Sequence, residues 1–540
     1  MSNPDYEFKG KTVLVMGLGR FGGGSDVAEF AVKSGAKVIV TDLVDRQKLG
    51  DSIKKLEEFS GIEFHLGSHD AADFENADIV VANPAVPGDN KFLQIARQAG
   101  KHVTSQVNIF FERCPAKIIG ITGANGKSTT TALTAHLLRS AFGVQRSATQ
   151  NSELSTQNNL EGWHPQAKLG DGFVSPTTQY AQLSTQYETV WLTGNIGNQP
   201  FLTALDKIQP EDLVVIELSS FQIEQLAMIK KAPDVALLTN LTPNHLDRYG
   251  TFENYCAAKK HIFEFQKLDK KNPAVSIFNA EDEIAAQWYE KYKSDKGRLC
   301  IKFSVDDVSE EIHDCYNLPG RANLSNLAAA LAIVKYFGVS DNSIKNSLPS
   351  FKALSHRLEL VEEINGVRWY NDSKATTPEG AITALEAFDK PIILIAGGYD
   401  KHLPFDKFAE KIIQKAKAVI LIGQTAPIIA ETIQNAQMSL RAKRSNLHTR
   451  WTKDDGRETK SRYVIASEAK QSQTTQYAIR NTQMAIVDSL SDAVTLASNL
   501  AKPGDIVLLS PACASYDMFE NYEQRGHDFS KLVKLLDKSK

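Results

Sequence analysis

The sequence predicts an α/β protein of three domains with mainly parallel sheets, on three observations. Apolar, β-rich runs alternate with helical patterns along most of the chain. Two strand-to-helix junctions carry glycine-rich turns of the kind that approach phosphate. The length of 540 residues provides three or four compact units at roughly 150 residues each. The runs are Thr12–Met16, Lys37–Thr41, Asp78–Ala82, Lys117–Thr122, Leu213–Glu217, Val235–Asn240, Pro391–Ala396, Ala418–Ile422 and Asp505–Ser510. Parallel sheets of this kind carry their sites at the carboxyl ends of the strands, so the turns after these runs are where chemistry is to be sought.

Composition narrows the class. Hydrophobic residues are 42% and charged residues 23%, ordinary soluble usage that excludes wholesale disorder, collagen and coiled coil. With 61 Lys+Arg against 64 Asp+Glu the net charge is -3, which offers no broad attraction for nucleic acid or an anionic membrane. Five cysteines (Cys114, Cys256, Cys300, Cys315, Cys513) are scattered without a C-x-x-C pair, a pattern that fits a reducing compartment. Met1–Lys11 is polar and no run approaches the roughly 18 apolar residues of a membrane helix, so a soluble cytoplasmic protein is expected. Two stretches break the α/β alternation. Residues 146–187 are rich in Gln, Ser, Thr and Asn and read as a surface insertion. Residues 436–483 carry ten Lys/Arg against four Asp/Glu; a basic nucleic-acid patch and a solvated insertion both fit, and the lack of an amphipathic helix or aromatic platform favours the insertion.

The first glycine turn follows Thr12–Met16. Gly17-Leu18-Gly19-Arg20-Phe21-Gly22 is a G-x-G-x-x-G, a helical stretch runs on to Lys33, and a second strand ends in Asp42. Such a turn allows close backbone approach to a diphosphate, with Asp42 placed for a ribose hydroxyl. Taken alone it indicates NAD; a glycine turn that only packs helix on strand is the alternative.

The second is more specific. Lys117–Thr122 runs into Gly123-Ala124-Asn125-Gly126-Lys127-Ser128-Thr129 and a helix. Loop amides of this kind cradle phosphates, Lys127 is a mobile charge for β and γ groups, and Ser128 suits magnesium. Ile121 stands where the common P-loop has its first glycine, which points away from GTPases and motor ATPases. Glu217 closes the strand Leu213–Glu217 and is placed either to ligate magnesium or to serve as an acid at a helix start. His245, after the run Val235–Asn240 and beside Asp247 and Arg248, is a further site candidate.

These pieces resemble the Mur ligases, ATP-dependent amide-bond-forming enzymes of peptidoglycan precursor synthesis. The likeness rests on residues 122–129, Gly194-Asn195-Ile196-Gly197, Glu217-Leu218-Ser219-Ser220-Phe221-Gln222, Asn244-His245-Leu246-Asp247-Arg248, Gly320-Arg321-Ala322-Asn323 with Asn326, and His356-Arg357, in the family's order. Asn371-Asp372-Ser373-Lys374-Ala375-Thr376, Gly397-Gly398-Tyr399-Asp400-Lys401 and Ser510-Pro511-Ala512-Cys513-Ala514-Ser515-Tyr516 look like the branch that adds D-glutamate to UDP-MurNAc-L-Ala. The resemblance implies a Rossmann-like UDP-sugar-binding domain over residues 1–112, a central P-loop ATPase domain over 113–352 and a C-terminal Rossmann-like α/β domain over 353–540. It turns the N-terminal fingerprint from NAD to the UDP-sugar, with Gly17, Gly19, Arg20, Phe21, Gly22, Asp42 and Asn195 as contacts. ATP would meet Gly123, Asn125, Gly126, Lys127, Ser128, Thr129, Asn326, Arg357 and Asp372, and two magnesium ions would meet Ser128, Glu217, His245 and a carbamylated Lys259. Lys127, His245, Lys259 and Lys374 would carry the chemistry. Thr376, Lys401, Ser515 and Tyr516 would hold D-glutamate, for which two hydroxyls and a cation suit carboxylates. A monomer is expected, with another amino-acid ligase of the family or an NAD-dependent dehydrogenase as the alternatives.

Overall fold

The computed structural model describes residues 7–19, 22–150, 187–196, 201–447 and 482–538. Arg20, Phe21 and most of the two insertions lie outside the described residues. The helix Lys127–Gln150 runs past the expected start of the first insertion, and the helix Ala426–Leu447 past that of the second.

All nine expected strands form, and they belong to three sheets. The first contains β1 (Thr12–Met16), β2 (Lys37–Asp42), β3 (Ile62–Leu66), β4 (Ile79–Ala82) and β5 (His102–Thr104) in the order β3-β2-β1-β4-β5, all parallel. The second contains β6 (Lys117–Thr122), β7 (Val190–Gly194), β8 (Leu213–Glu217), β9 (Val235–Leu238), β10 (Ala274–Asn279) and β11 (Arg298–Phe303) in the order β11-β10-β9-β6-β8-β7, again all parallel. The third contains β12 (Glu359–Ile364), β13 (Val367–Asn371), β14 (Ile392–Ala396), β15 (Ala416–Leu421), β16 (Gln483–Ile486) and β17 (Ile506–Leu509) in the order β12-β13-β17-β14-β15-β16. Only its β12–β13 edge is antiparallel, a hairpin turned at Asn365-Gly366, where both residues have positive φ (53° and 74°). Asn-Gly is the strongest short hairpin signal in a sequence, and it sets up the strand that delivers Asp372.

Strands β6, β8 and β9 are buried on both faces, as parallel strands covered by helices must be. β6 lies between β8 and β9, so the turn after Thr122 emerges beside the ends of both neighbours. The first two sheets fall in one compact unit (Met1–Tyr316 with Leu324–Phe351) and share one apolar core, in which the Phe110 and Phe201 rings stand 4.6 Å apart. The third sheet belongs to a second unit, Asn317–Asn323 with Lys352–Lys540. Among the described residues no helix is long and apolar enough to cross a membrane.

The glycine that lets the first helix pack against its strand is Gly24, outside the sequence motif. A Cβ there would overlap the backbone of Gly17 and Leu18, whereas one at Gly22 would meet nothing within 4 Å. Gly22 only needs its left-handed φ of 80°. Gly24→Ala is therefore expected to destabilise the chain by about 2 kcal/mol or more through overpacking. Gly22→Ala should lose only about 1 kcal/mol from its backbone conformation. Chemical denaturation of the two variants checks this, and equal losses would refute the close-approach argument.

Candidate functional site

The phosphate loop leaves β6 at Thr122. Gly123 has φ 149°, and a Cβ there would overlap Thr239 Oγ1. Thr239 and Asn240, read from sequence as the end of a strand, leave β9 and form the wall behind the loop instead. The Ala124 amide donates to Asn240 O (2.8 Å) and the Asn125 amide to Asn240 Oδ1 (2.9 Å), while Thr239 Oγ1 donates to Asn125 O (2.6 Å). Gly126, at φ 82°, lies so close to Asn326 that a Cβ would overlap its side-chain oxygen. Asn326 Oδ1 also accepts from Thr130 Oγ1 at 3.4 Å. Asn326 thus packs on the loop itself. Lys127 Nζ folds back on Ala124 O (2.8 Å); Ser128 and Thr129 are buried in the first turn of the helix that follows.

Beside this loop lie two groups whose burial needs an explanation. Glu217 is 2% exposed, and its Oε2 has no hydrogen-bond partner. Lys259 is 1% exposed and donates one hydrogen bond, to Thr122 Oγ1 at 3.2 Å, with the Tyr255 ring 5.0 Å away. Burial, and then repulsion by Lys127, push its pKa well below the usual lysine value, against the pull of Glu217. A buried, unpaired charge costs several kcal/mol, so a carboxylate oxygen without a donor and an ammonium with a single acceptor are groups awaiting partners. His245 joins this neighbourhood: it has φ 52°, and its ring stands 5.0 Å from Phe221 and 6.4 Å from Tyr255. Desolvation first, with Lys259 and Lys127 adding to it, lowers its pKa against the pull of Asp247. Asn195 is exposed, with its amide on Glu217 O at 3.1 Å.

The residues suit magnesium in part. The orphaned Glu217 oxygen is a hard, anionic ligand and Ser128 a hydroxyl one; Lys259 as an ammonium repels a cation. Among the described residues no cluster of three or more His, Cys, Asp or Glu forms a metal site, so water, phosphate oxygens or a modified lysine would complete any shell.

In the first sheet the acid expected at a ribose is tied into the glycine turn. Asp42 is 8% exposed, and its Oδ2 accepts from the amides of Leu18 (2.8 Å) and Gly19 (3.4 Å), its Oδ1 from Val44 (2.9 Å). The Gly17 amide donates to Thr41 O at 2.8 Å. Asp42 therefore braces the glycine turn. The acidic acceptor on which the dinucleotide reading relied is engaged. Gly22, at the end of the turn, caps the helix Gly23–Lys33 by backbone conformation alone.

In the second unit, the loops after β13, β14 and β17 come together. The Gly397 amide donates to Pro511 O (2.8 Å), Tyr399 to Ala514 O (2.9 Å) and Ala512 to Ala375 O (3.0 Å). This assembles Thr376, Lys401, Ser515 and Tyr516 at one edge. Lys401 and Tyr516 are exposed, Thr376 is half-buried, and Ser515 is buried, its carbonyl accepting from Met518 and Phe519 in a short turn rather than capping a helix. Lys374 is exposed with Nζ 5.2 Å from the Tyr522 ring. Arg357 lies between His356 (φ 64°) and Leu358 (φ 45°), two left-handed non-glycine residues of the kind that store strain at functional turns. Sequence reasoning missed Arg525, which is 1% exposed and donates to Ser373 Oγ and O and to the carbonyls of Cys513 and Ala514, stitching two of these loops from below. Burial lowers its pKa to about 10. Nothing in its helical sequence pattern marks it.

Asp372 is also engaged internally: Oδ1 accepts from the Leu358 amide (3.2 Å) and Oδ2 from Ser510 Oγ (2.8 Å). Burial raises its pKa to about 7, despite these bonds and Arg357. A carboxyl whose pKa is raised on folding stabilises the fold fully below its unfolded value, near 3.8, and that stabilisation is lost as pH rises through about 7. Asp372→Asn, whose oxygen accepts from the Leu358 amide and whose NH2 donates to Ser510 Oγ, is expected to melt higher than the parent at pH 8 and to lose that advantage at pH 4. Thermal melts across this range check it; a constant difference between the two proteins would refute the buried-carboxyl assignment.

Comparison with known proteins places the chain in a family. Its sequence matches the Mur ligase middle domain over residues 121–315, the Mur ligase glutamate ligase domain over 356–513 and the MurD-like N-terminal domain of Mur ligases over 11–105. It is 35% identical to a UDP-N-acetylmuramoylalanine–D-glutamate ligase of Roseiflexus sp. (strain RS-1), over 98% of this chain and 99% of that one. Ligases of the same name from Pelotomaculum thermopropionicum (33% identical, 98% and 99% covered) and Clostridium botulinum strain Langeland (32%, 98% and 97%) match as fully. End-to-end identity at this level, with all three domain matches in order, shows that the chain belongs to the Mur ligase family.

Proposed function

We propose that the chain ligates D-glutamate to UDP-N-acetylmuramoyl-L-alanine with ATP, giving the amide, ADP and phosphate in cytoplasmic peptidoglycan precursor synthesis. The observation that carries the chemistry is the meeting of Lys127, the orphaned Glu217 oxygen and the buried Lys259 at one phosphate loop. The full-length similarity to D-glutamate ligases supports the choice of amino acid.

The substrate carboxylate attacks the γ-phosphorus of ATP; the bond to the β-bridging oxygen breaks, and an acyl phosphate and ADP result. The D-glutamate amine then attacks the acyl carbon, loses its proton and expels phosphate. Bringing three anions together is the main barrier, so positioning and charge neutralisation dominate catalysis. The loop Gly123–Thr129 seats the phosphates, with Lys127 leaving Ala124 O to follow charge as it develops on them, and Asn326 backs Gly126. Ser128, Glu217, His245 and Lys259 are the groups that would hold magnesium at two sites, where the ion offsets phosphate charge. Arg357 and Asp372 are assigned to ATP, and Lys374 to developing charge. Gly17, Gly19, Arg20, Phe21, Gly22 and Asn195 are assigned to the UDP-sugar, with Asp42 as the brace of that turn. Thr376, Lys401, Ser515 and Tyr516 are assigned to D-glutamate. All assigned groups lie on one chain, in keeping with a monomer.

Lys259 is read as carbamylated. Its buried amine favours the neutral form, which adds to carbon dioxide through a new N–C bond and releases a proton; the carbamate replaces a costly ammonium with an anionic oxygen ligand. Protein equilibrated with 13C-bicarbonate is expected to show a carbamate carbon resonance that Lys259→Ala lacks, and identical spectra would remove the assignment.

Phosphate release with ATP, magnesium and UDP-MurNAc-L-Ala tests the reaction, comparing D-glutamate with L-glutamate, D-alanine, L-alanine and meso-diaminopimelate. Turnover with D-glutamate alone is expected, falling at least about a hundredfold in Lys127→Ala. Turnover with a different amino acid would reassign the specificity within the family.

A further inference from the structure

β9 pairs with β10 as far as Leu238, opposite Phe278, and the ladder between them ends there. The next three residues, Thr239, Asn240 and Leu241, make the wall behind the phosphate loop, and two of them are buried, Thr239 at 3% and Leu241 at 6% exposed. Buried backbone groups need partners once a ladder stops. Two side chains at the end of β10 take its place. Asn279, the last residue of β10 and 5% exposed, donates from Nδ2 to Thr239 O (2.7 Å). Asp282, half-buried, accepts at Oδ2 from the Leu241 amide (2.7 Å).

Both side chains are themselves fixed. Asn279 Oδ1 accepts from the Glu281 amide (2.9 Å), and Asp282 Oδ1 accepts from the Ala285 amide (2.9 Å) as the N-cap of the helix Glu283–Tyr292. The wall they hold is bonded in turn to the loop and to the strand that delivers it. The Thr239 amide donates to Thr122 O (2.9 Å), and Thr239 Oγ1 and Asn240 Nδ2 donate to Asn125 O (2.6 and 3.1 Å). Asn240 accepts the amides of Ala124 and Asn125. Wall and loop touch most closely at Gly123, where a Cβ would stand 1.9 Å from Thr239 Oγ1. Hydrogen bonds are directional, so the place of the wall sets where the loop's backbone points.

We propose that Asn279 and Asp282 are positioning residues for the phosphate loop: acting through Thr239, Asn240 and Leu241, they hold the loop in the shape that takes the phosphates of ATP. The inference rests on the ATP reading of the loop given above and not on the choice of amino acid. Its consequence is a split in kinetics. Without these side chains the wall samples more than one position, the loop follows it, and ATP bears the cost of ordering both. The sugar nucleotide, assigned to the N-terminal glycine turn and Asn195, does not.

The test uses the full-length enzyme with two substitutions. Asn279→Ala removes the donor to Thr239 O. Asp282→Ser keeps an oxygen that caps the helix Glu283–Tyr292 but is too short to reach the Leu241 amide as well. The KM for ATP is expected to rise about tenfold in Asn279→Ala and about threefold in Asp282→Ser, with the KM for UDP-MurNAc-L-Ala within about twofold of the parent. Asp282→Ser decides the question alone if Asn279→Ala does not fold. A drop in melting temperature with an unchanged KM for ATP in the folded variants overturns the proposal and leaves the two residues purely structural, as does an equal rise in both KM values. Calorimetry with magnesium and a non-hydrolysable ATP analogue separates this inference from the reading beneath it. No binding to the parent chain overturns the ATP reading of the loop and this inference with it, whereas binding that neither substitution weakens overturns the role of Asn279 and Asp282 alone.

Discussion

The burial of Lys259 against Glu217 is the constraint around which the central sheet is arranged. A lysine with one hydrogen bond and a carboxylate oxygen with none, both nearly inaccessible, oppose folding unless something else completes them. Only a rigid surround holds two such groups in place. Here that surround is the order of the strands: β6 lies between β8, which ends in Glu217, and β9, whose continuation walls the phosphate loop. Thr122, the last residue of β6, ties them by accepting from Lys259 and donating to Leu218 O at 2.8 Å. On the function proposed above, a polyanion and its counter-cation would relieve that electrostatic strain.

The same device recurs at the edges of the other two sheets in a milder form. Asp42 gathers the amides of the N-terminal glycine turn, and Arg525 gathers carbonyls from below the loops that carry Ser373 and Ser515. In each case a buried charged group fixes a loop by meeting several backbone groups at once, while neighbours such as Lys401 and Tyr516 stay exposed. Glycines make the close approaches possible. At Gly194, a Cβ would overlap the Glu217 carbonyl, so β7 could not come close enough for Asn195 to bond there. Loops are thus positioned by scaffold chemistry and carry the reactive groups themselves.

Much of this was legible in the sequence. The alternation of apolar runs and helices determined three α/β sheets, because periodicity is a local property of the chain. The phosphate loop was legible because Gly-Lys-Ser between a strand and a helix has few other physical uses. Asn365-Gly366 announced the β12–β13 hairpin, a signal that was there to be read. Short or edge strands such as His102–Thr104 carry too few residues to show a period.

What only the tertiary structure decided is the partner of each buried charge. Spacing placed Asp42 near a diphosphate turn but could not say that its oxygens would accept from that turn's own amides. Nothing local distinguishes Arg525 from the surface charges of any helix, since its partners lie on segments that meet it only once the chain has packed. Thr239 and Asn240 look like the end of a strand until β9 is set beside β6. Local pattern determines which elements form and which residue types stand at their ends. Burial, and with it the charge state and hydrogen-bond partners that make a residue functional, depends on which elements become neighbours, and that is settled by the packing of the whole chain.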